Sequence, residues 1–349
     1  MELKRAVELI ARAKRILLIK TNLLGDVLNF LPVANFLRKF SPGARISWLV
    51  TGRGYPLVSE FSEVDEILLL NERLLYNYGN LWRVGRWLRE KQFDVLVTSY
   101  QEECFLIGSL ALLSRAPVRI GYNLRNRGWF FNMVVSKGEA ERRIEIYGQI
   151  VNLLGGKWQD YVYVPRASER GAEDFAKRME MEFGLKRNDS FCVLHLFSQK
   201  ATRSWRWEYG DELIRGIQKE LGLIPVLVGS EPEVWRWGEA RKKHGLINLT
   251  GQLSLLELYY LLSRAKLFIG IDSFPLQLME FSRGKAIALF GSTDPREAQV
   301  SSAEILRVDV ECAPCWPRLI CEQDYKCWRL LTPERILETA KRILTGVGA

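Results

Sequence analysis

Short apolar segments alternate with helix-length stretches through both halves of the chain, and this alternation is the strongest constraint on its fold. The strands predicted in the first half are 15–20, 45–50, 66–70, 94–98 and 118–121, and its clearest helices are 26–39 and 81–91. The strands predicted in the second half are 191–196, 224–229, 247–249, 267–271, 286–290 and 305–310. Nearly continuous apolar strands are typical of parallel sheets covered by helices on both faces. The pattern therefore predicts an α/β fold with a parallel, doubly wound sheet in each half.

The length of the chain predicts two domains. Its 349 residues are more than one hydrophobic core of ordinary size accommodates. A helical stretch at 139–154 runs into a Gly-Gly pair, where we expect the chain to cross between domains. The predicted domains are 1–165 and 166–349. A last helix is predicted at 333–344, and one expectation is that it packs back on the first domain.

Composition and charge exclude some classes of protein. Apolar residues make up 48% and charged residues 26% of the chain, as in ordinary soluble proteins. No apolar run approaches the length of a membrane span, and the N-terminus has no signal-peptide core, so we expect a cytoplasmic protein. The net charge of +9 favours an anionic partner, either a membrane surface, a phosphorylated glycolipid or nucleic acid. Nucleic acid is disfavoured because the charges are mixed and no nucleic-acid-binding motif is present.

Two neighbouring segments of the second half have the form of a nucleotide site. Residues 267–281 and 286–295 each begin as an apolar strand and continue into a polar turn that contains Gly or Ser. The first turn, at Asp272 and Ser273, then opens a helix. Backbone N–H groups at such a helix start face phosphates in open α/β proteins. The pair of segments indicates an enzyme that uses a nucleotide-sugar.

Asp26 is the candidate catalytic carboxylate of the first half. It follows Gly25 at a strand-to-helix turn, where its side chain can accept a proton from an attacking hydroxyl. The alternative is that Asp26 only caps the helix 26–39, because Asp is favoured at helix starts for that reason alone.

Several motifs occur together in a characteristic order. They are Ile16-Leu-Leu-Ile-Lys-Thr-Asn-Leu-Leu-Gly-Asp26 with Leu31-Pro32, then Gly251-Gln-Leu-Ser-Leu-Leu-Glu-Leu258, Ile269-Gly-Ile-Asp-Ser273 and Leu289-Phe-Gly-Ser-Thr-Asp-Pro295. In order and spacing they resemble glycosyltransferase family 9, the ADP-heptose:lipopolysaccharide heptosyltransferase family. The resemblance covers roughly residues 15–345. It implies a glycosyltransferase-B architecture of two facing Rossmann-like domains, the first for the acceptor and the second for the nucleotide-sugar donor.

The resemblance also implies an activity. The family transfers heptose from ADP-heptose to the inner core of lipopolysaccharide, with inversion and without a catalytic metal or other required cofactor. Its acceptor is an anionic glycolipid at the inner membrane surface, so a peripheral location on the inner face of the cytoplasmic membrane is an open alternative to a purely cytoplasmic one. The sequence contains no Asp-x-Asp, the motif that holds a metal in the A-type glycosyltransferases.

Family roles carry over to the matching positions. Asp26 resembles the general base, and Glu231 resembles the contact to ribose or adenosine. Ser198, Gln199 and Arg203 lie in the loop where the family contacts the diphosphate. Asp272 and Ser273 resemble an Asp-Thr pair at the donor sugar and phosphate. We expect Lys200 or Arg203, together with the helix start after Asp272, to offset the charge of the leaving diphosphate.

The chain departs from the family in one motif. The family reads Asp-Thr-Gly-x-x-His where this chain has Phe274 at the Gly position and Gln277 at the His position. Phe274 puts a ring where Gly allows the backbone to approach a ligand, and Gln277 keeps an N–H donor but carries no positive charge. Two alternatives follow: a different nucleotide-sugar donor or acceptor, or a non-catalytic relative that binds a nucleotide-sugar or glycolipid.

Two further groups of residues are candidates for binding. Cys312, Cys315, Cys321 and Cys327 lie within sixteen residues, so they predict a structural zinc or iron site, free thiols or a redox-sensitive disulfide. Arg125 and Arg127 stand in a loop that mixes cations with aromatic residues, which predicts contact with a phosphorylated glycolipid. His195 ends a predicted strand and is either a cleft residue or a satisfied core imidazole.

Overall fold

A computed structural model describes residues 2–21, 24–61, 64–71, 78–100, 104–124, 126, 128–161, 169–230, 245–282, 284–297, 300 and 302–346. The chain divides into two compact units, Met1–Pro165 and Arg166–Ala349. None of the helices in the described part combines the length and the apolar character that a membrane crossing requires.

The first unit alternates strands and helices. Its strands are β1 (Arg15–Ile19), β2 (Arg45–Thr51), β3 (Glu66–Leu70), β4 (Val95–Thr98), β5 (Val118–Tyr122) and β6 (Met133–Val135). Its helices are α1 (Leu3–Ala11), α2 (Leu24–Phe40), α3 (Tyr55–Phe61), α4 (Tyr78–Glu90), α5 (Cys104–Leu113) and α6 (Arg143–Leu153), with a 3₁₀ turn at Gly128–Phe130.

The second unit repeats the scheme. Its strands are β7 (Phe191–His195), β8 (Ile224–Leu227), β9 (Ile247–Asn248), β10 (Leu267–Ile271), β11 (Ala286–Phe290) and β12 (Ala303–Arg307). Its helices are α7 (Glu169–Phe183), α8 (Gly210–Leu221), α9 (Leu255–Arg264), α10 (Phe274–Ser282), α11 (Lys326–Arg329) and α12 (Pro333–Thr345), with a 3₁₀ turn at Ala201–Arg203.

Both sheets are parallel and have the same strand order. Within the described residues each sheet has six strands, in the orders β3-β2-β1-β4-β5-β6 and β12-β11-β10-β7-β8-β9. The chain reverses its direction of winding between β1 and β4 in the first sheet and between β7 and β10 in the second. Crevices form at the carboxyl ends of strands at such reversal points, so the loops after β1, β7 and β10 are where a ligand is expected.

The predicted parallel, doubly wound sheets are confirmed, and most predicted strands lie within two residues of the observed ones. The last strand was misplaced, because β12 spans Ala303–Arg307 whereas the prediction was 305–310. The helix predicted at 139–154 is shorter, at Arg143–Leu153. The short strand β6 escaped prediction because three residues give too little alternation to recognise.

Close packing at helix contacts holds each unit together around its sheet. In the first unit α2 packs on α6, and residues 27–34 of α2 are buried without interruption. In the second unit α12 packs on α8, where a Cβ added to Gly216 would overlap the Leu337 side chain. The contact between α2 and α6 matters for function because it positions the start of α6 beside the start of α2.

Candidate active site

In the first unit, a carboxylate lies between two cations at the carboxyl end of β1. Asp26 Oδ1 is 3.3 Å from Arg143 Nη1, and Asp26 Oδ2 is 3.9 Å from Lys20 Nζ. Lys20 is the first residue after β1, and Arg143 is the first residue of α6. The three side chains come from separate segments, and the packing of α2 on α6 brings them together.

Lys20 has no solvent exposure, which is rare for a lysine. Its ammonium lies 6.0 Å from the centre of the Tyr147 ring, and its backbone carbonyl accepts a 3.3 Å hydrogen bond from Trp48 Nε1. Burying an ammonium group costs several kcal/mol of lost hydration unless an opposite charge is close. The Asp26 carboxylate supplies such a charge, so Lys20 and Asp26 depend on one another.

Asp26 is not the N-cap of its helix. Helix α2 begins at Leu24, which places Asp26 in the third helical position. An acidic residue in the first turn is still stabilised by the partial positive charge of the helix start. The capping explanation of Asp26 is therefore wrong in its simple form, and the ion pairs with Lys20 and Arg143 take its place.

In the second unit, the loop after β7 is held in a fixed shape. The buried Ser204 hydroxyl donates to the carbonyls of Ser198 and Lys200 at 3.0 and 3.1 Å, and accepts from the Ser198 N–H at 3.0 Å. The indole of Trp205 donates to the Leu331 carbonyl at 2.8 Å, and the indole of Trp328 donates to the Thr202 carbonyl at the same distance. The loop is thus tied both to itself and to the chain that precedes α12.

This loop brings Arg203 to the end of β10. Arg203 Nη2 donates to the Asp272 carbonyl and, at 3.0 Å, to Asp272 Oδ2. The Arg203 guanidinium carbon lies 5.0 Å from the centre of the Trp316 ring, a cation–π contact. Burial raises the pKa of the Asp272 carboxyl, although Arg203 and the Thr293 hydroxyl both act to lower it. Asp272 therefore fixes the turn and orients Arg203.

Ser273 links the turn after β10 to the end of β7. Its Oγ lies 2.9 Å from His195 Nδ1 and donates to the Ile271 carbonyl at 3.0 Å. The tautomer of the imidazole sets the direction of the Ser273–His195 hydrogen bond. His195 is 5% exposed and lies at the switch point between β7 and β10. The imidazole of His195 is thus nearly buried and hydrogen-bonded, as in the satisfied-core alternative.

Three polar atoms near these strand ends are buried and lack a hydrogen-bond partner among the described residues. They are Arg203 Nε, Gln277 Oε1 and Ser292 Oγ. Ser292 follows β11 and Gln277 lies in the first turn of α10. Buried polar atoms are rarely left unpaired in folded proteins. Such atoms at the carboxyl ends of β10 and β11 are suited to bind the polar groups of a ligand.

The predicted site residues of the second unit differ in accessibility. Ser198, Arg203, Asp272, Ser273 and Gln277 are partly buried. Gln199 and Lys200 are exposed on the loop after β7. Because helix α10 begins at Phe274, the residue directly before it is Ser273 and not Asp272, so Asp272 is not the helix cap.

The cysteine cluster is not arranged as a metal site, which was one of the three alternatives for it. Cys312, Cys315, Cys321 and Cys327 are free thiols, and nowhere in the described ranges are three His, Cys, Asp or Glu side chains placed to hold one ion. Cys327 belongs to the hydrophobic core beside Trp328, and Cys321 Sγ accepts a 3.2 Å hydrogen bond from the Tyr325 N–H. Burial raises the pKa of Cys315, and raises that of Cys327 to about 11. With raised pKa values, the thiols of Cys315 and Cys327 are protonated near neutral pH.

Three residues named from the sequence lie outside the described residues. They are Glu231, Arg125 and Arg127. Sequence reasoning missed Lys20, Arg143, Thr293 and Trp316. A lysine ending an otherwise apolar strand is a signal that could have indicated Lys20. Arg143 reaches Asp26 only through the packing of α6 on α2, which no local pattern shows.

The fold defines a class of protein. The two six-stranded parallel sheets of the described residues, with the same strand order, match solved structures of the glycosyltransferase-B fold. The solved structure of ADP-heptose LPS heptosyltransferase II from Escherichia coli superposes with a TM-score of 0.73 at 20% identity, covering 96% of this chain and 100% of that one.

Sequence comparisons show the family. The family model "Glycosyltransferase family 9 (heptosyltransferase)" matches residues 81–326, which is well over half of the chain. The chain belongs to glycosyltransferase family 9. It is 23% identical to lipopolysaccharide heptosyltransferase 3 of Escherichia coli strain K12 over 289 residues, covering 77% of this chain and 80% of that protein. It is 30% identical to lipooligosaccharide heptosyltransferase 2 of Campylobacter jejuni over 100 residues, which are 28% of this chain and 31% of that protein.

We predict that Lys20→Met retains the fold but lowers the turnover rate for sugar transfer at least about tenfold, the effect of losing roughly 1.4 kcal/mol of transition-state stabilisation. Methionine fills similar space without charge, so Asp26 loses a partner that holds it in place. Steady-state kinetics and a melting curve measure the two effects. The exposed Lys137→Met is the control, and a Lys20→Met enzyme with the control's turnover would contradict this role.

We predict that Arg203→Ala lowers the free energy of unfolding by about 1–3 kcal/mol, because the Asp272 carboxylate loses its charged donor. It also weakens binding of ADP. The double variant Arg203→Ala/Asp272→Ala recovers part of the stability but none of the ADP affinity. Urea denaturation and calorimetric ADP titration separate the two effects. Recovery of ADP affinity in the double variant would mean that Arg203 serves only to neutralise Asp272.

Proposed function

We propose that the protein transfers heptose from ADP-heptose to the inner core of a lipopolysaccharide-type acceptor, with inversion at the anomeric carbon. The observation that carries the proposal is the Asp26 carboxylate held between Lys20 and Arg143 at the switch point of the first sheet. Membership of glycosyltransferase family 9 and similarity to proteins named as heptosyltransferases support it.

Asp26 is the general base in this proposal. Inversion requires an acceptor hydroxyl to attack the anomeric carbon from the side opposite the leaving nucleoside diphosphate, while a carboxylate removes the hydroxyl proton. Asp26 is 21% exposed, so one part of the carboxylate is open to an acceptor while Lys20 and Arg143 hold the rest. The unit 1–165 is then the acceptor domain.

The second unit, 166–349, binds the donor. The leaving diphosphate carries negative charge that must be offset as the glycosidic bond breaks. Arg203 supplies positive charge beside the start of α10, whose backbone N–H groups favour anions, and the exposed Lys200 lies on the same loop as Arg203. Ser198, Gln199 and Ser273 offer hydrogen bonds to phosphate or sugar, and Glu231 contacts the ribose. With two cations and a helix start in place, we propose that transfer needs no metal ion.

The acceptor is an anionic glycolipid at the inner face of the cytoplasmic membrane. Arg125 and Arg127 are proposed to contact its phosphate groups. The formal net charge of +9 supports an acidic partner of this kind.

A second candidate function keeps sugar transfer but changes the donor. Phe274 begins α10 where the family has Gly, and Gln277 Oε1 is buried without a hydrogen-bond partner in the described part of the chain. An amide oxygen accepts hydrogen bonds that a protonated imidazole cannot accept. A donor with an additional hydroxyl or amide N–H at this position would satisfy Gln277.

We predict that Asp26→Asn abolishes transfer, because an amide cannot accept the proton of the attacking hydroxyl. The affinity for ADP should stay unchanged within about twofold, because residue 26 lies outside the unit proposed to bind the donor. A transfer assay and calorimetric ADP titration measure the two effects. The exposed Asp174→Asn, on α7, is the matched control. An active Asp26→Asn enzyme would rule Asp26 out as the base.

We predict that ADP-heptose and ADP raise the melting temperature, whereas UDP- and GDP-sugars do not. A ligand at a hundred times its dissociation constant stabilises the folded state by about 2.7 kcal/mol, which a thermal-shift experiment resolves. A response to another nucleotide-sugar alone would favour the second candidate function. A response to none would favour a non-catalytic relative.

A further inference from the structure

Large apolar side chains are exposed on one face of the first unit. Trp82 on α4 and Trp129 in the 3₁₀ turn are each 62% exposed. Phe105 and Leu112 on α5 are 43% and 37% exposed. The largest side chain on the outer face of helix α4, Trp82, points to solvent. Exposed apolar groups that lie together mark a site of interaction with a protein or a membrane.

These side chains belong to one continuous surface. Helices α4 and α5 pack so closely that a Cβ added to Gly85 would lie 2.5 Å from Leu113 Cβ. The Phe105 ring contacts the edge of Phe130 at a centroid distance of 5.9 Å, and Trp129 stacks on Phe130 at 3.8 Å. Phe105 and Leu112, seven residues apart, lie on the same side of α5.

The same surface carries positive charge. Arg83, Arg86 and Arg89 are exposed on α4, against the single exposed acid Glu90 on that helix. Arg86 lies over the Trp82 ring at 5.7 Å and pairs with Glu90 at 3.3 Å. Tryptophan beside arginine is typical of surfaces at the level of lipid headgroups, where the indole lies at the interface and the guanidinium contacts phosphate.

We propose that this α4–α5 face, formed by Trp82, Arg83, Arg86, Arg89, Phe105, Leu112 and Trp129, docks on a bilayer of anionic lipids. On α4, the three exposed arginines against one exposed acid complement the negative surface of such a membrane. In a parallel α/β unit the helix after each strand begins near the carboxyl ends of the strands. Trp82 and Phe105, near the starts of α4 and α5, therefore lie toward the edge of the sheet that carries Asp26.

The position of this face has a functional consequence. A bilayer docked on it brings lipid headgroups toward the edge of the first unit where the proposed base lies. This consequence rests on the proposed function, because it concerns the delivery of a glycolipid acceptor. The docking itself does not depend on sugar transfer, so it is testable without donor or acceptor.

The test is sedimentation of the full-length protein with vesicles that contain no glycolipid. Vesicles of phosphatidylethanolamine with phosphatidylglycerol should bind the protein, and vesicles of phosphatidylcholine should bind it much more weakly. Neutralising Arg83, Arg86 and Arg89 to Gln should weaken binding about fivefold per arginine, or about a hundredfold in total. Trp82→Ala with Trp129→Ala should remove the part of the binding that persists at high salt.

Matched controls lie on the second unit. Lys177, Lys219 and Arg335 are exposed on its helices, so their triple Gln variant makes the same change in net charge. Met181, which is 79% exposed, is the apolar control. Equal loss of binding in both triple variants would overturn the proposal in favour of attraction by net charge alone. Failure of the wild-type protein to bind anionic vesicles would also overturn it, while transfer to a detergent-solubilised acceptor would still test the enzymatic activity.

Discussion

The ion pair between a fully buried lysine and a partly exposed carboxylate is the interaction on which the first unit's site depends. Lys20 lies at the end of β1 with no exposure, and Asp26 Oδ2 is 3.9 Å away. A buried charge in that position is stable only with an opposite charge nearby. Moving Asp26 away would leave the Lys20 ammonium unpaired, so the ion pair keeps the Asp26 carboxylate in place. Arg143 holds the other carboxylate oxygen, so the rotation of the carboxylate is restricted as well.

The second unit also has an ion pair at its switch point, but there the carboxylate orients the cation. There the carboxylate of Asp272 orients a cation, Arg203, at the end of β10. The surroundings of this pair are rigid, because Ser204 pins the loop after β7 and two buried indoles anchor it. A preorganised cation stabilises charge that develops in a reaction without the cost of moving into place. Each sheet thus has, at its switch point, one charged side chain held by an opposite charge.

Much of this organisation could be predicted from the sequence, for physical reasons. Apolar strands alternating with helices indicate parallel sheets, and the polar turns after two of those strands made Asp26 and Asp272 candidates. Arg203 became a candidate through the resemblance to the family. Lys20 and Arg143 were missed because their roles depend on burial and on the packing of α6 against α2. The cysteine spacing left a metal site, a disulfide and free thiols open, because only the folded structure places the side chains, and there Cys327 is buried in the core.

The most direct test of the account is to incubate the protein with ADP-heptose and a glycolipid acceptor that lacks its outer heptose, and to analyse the products by mass spectrometry. The account predicts release of ADP together with an acceptor that has gained one heptose, and neither product when Asp26 is asparagine. Binding of ADP-heptose by the second unit without any heptose transfer from the wild-type protein would contradict it.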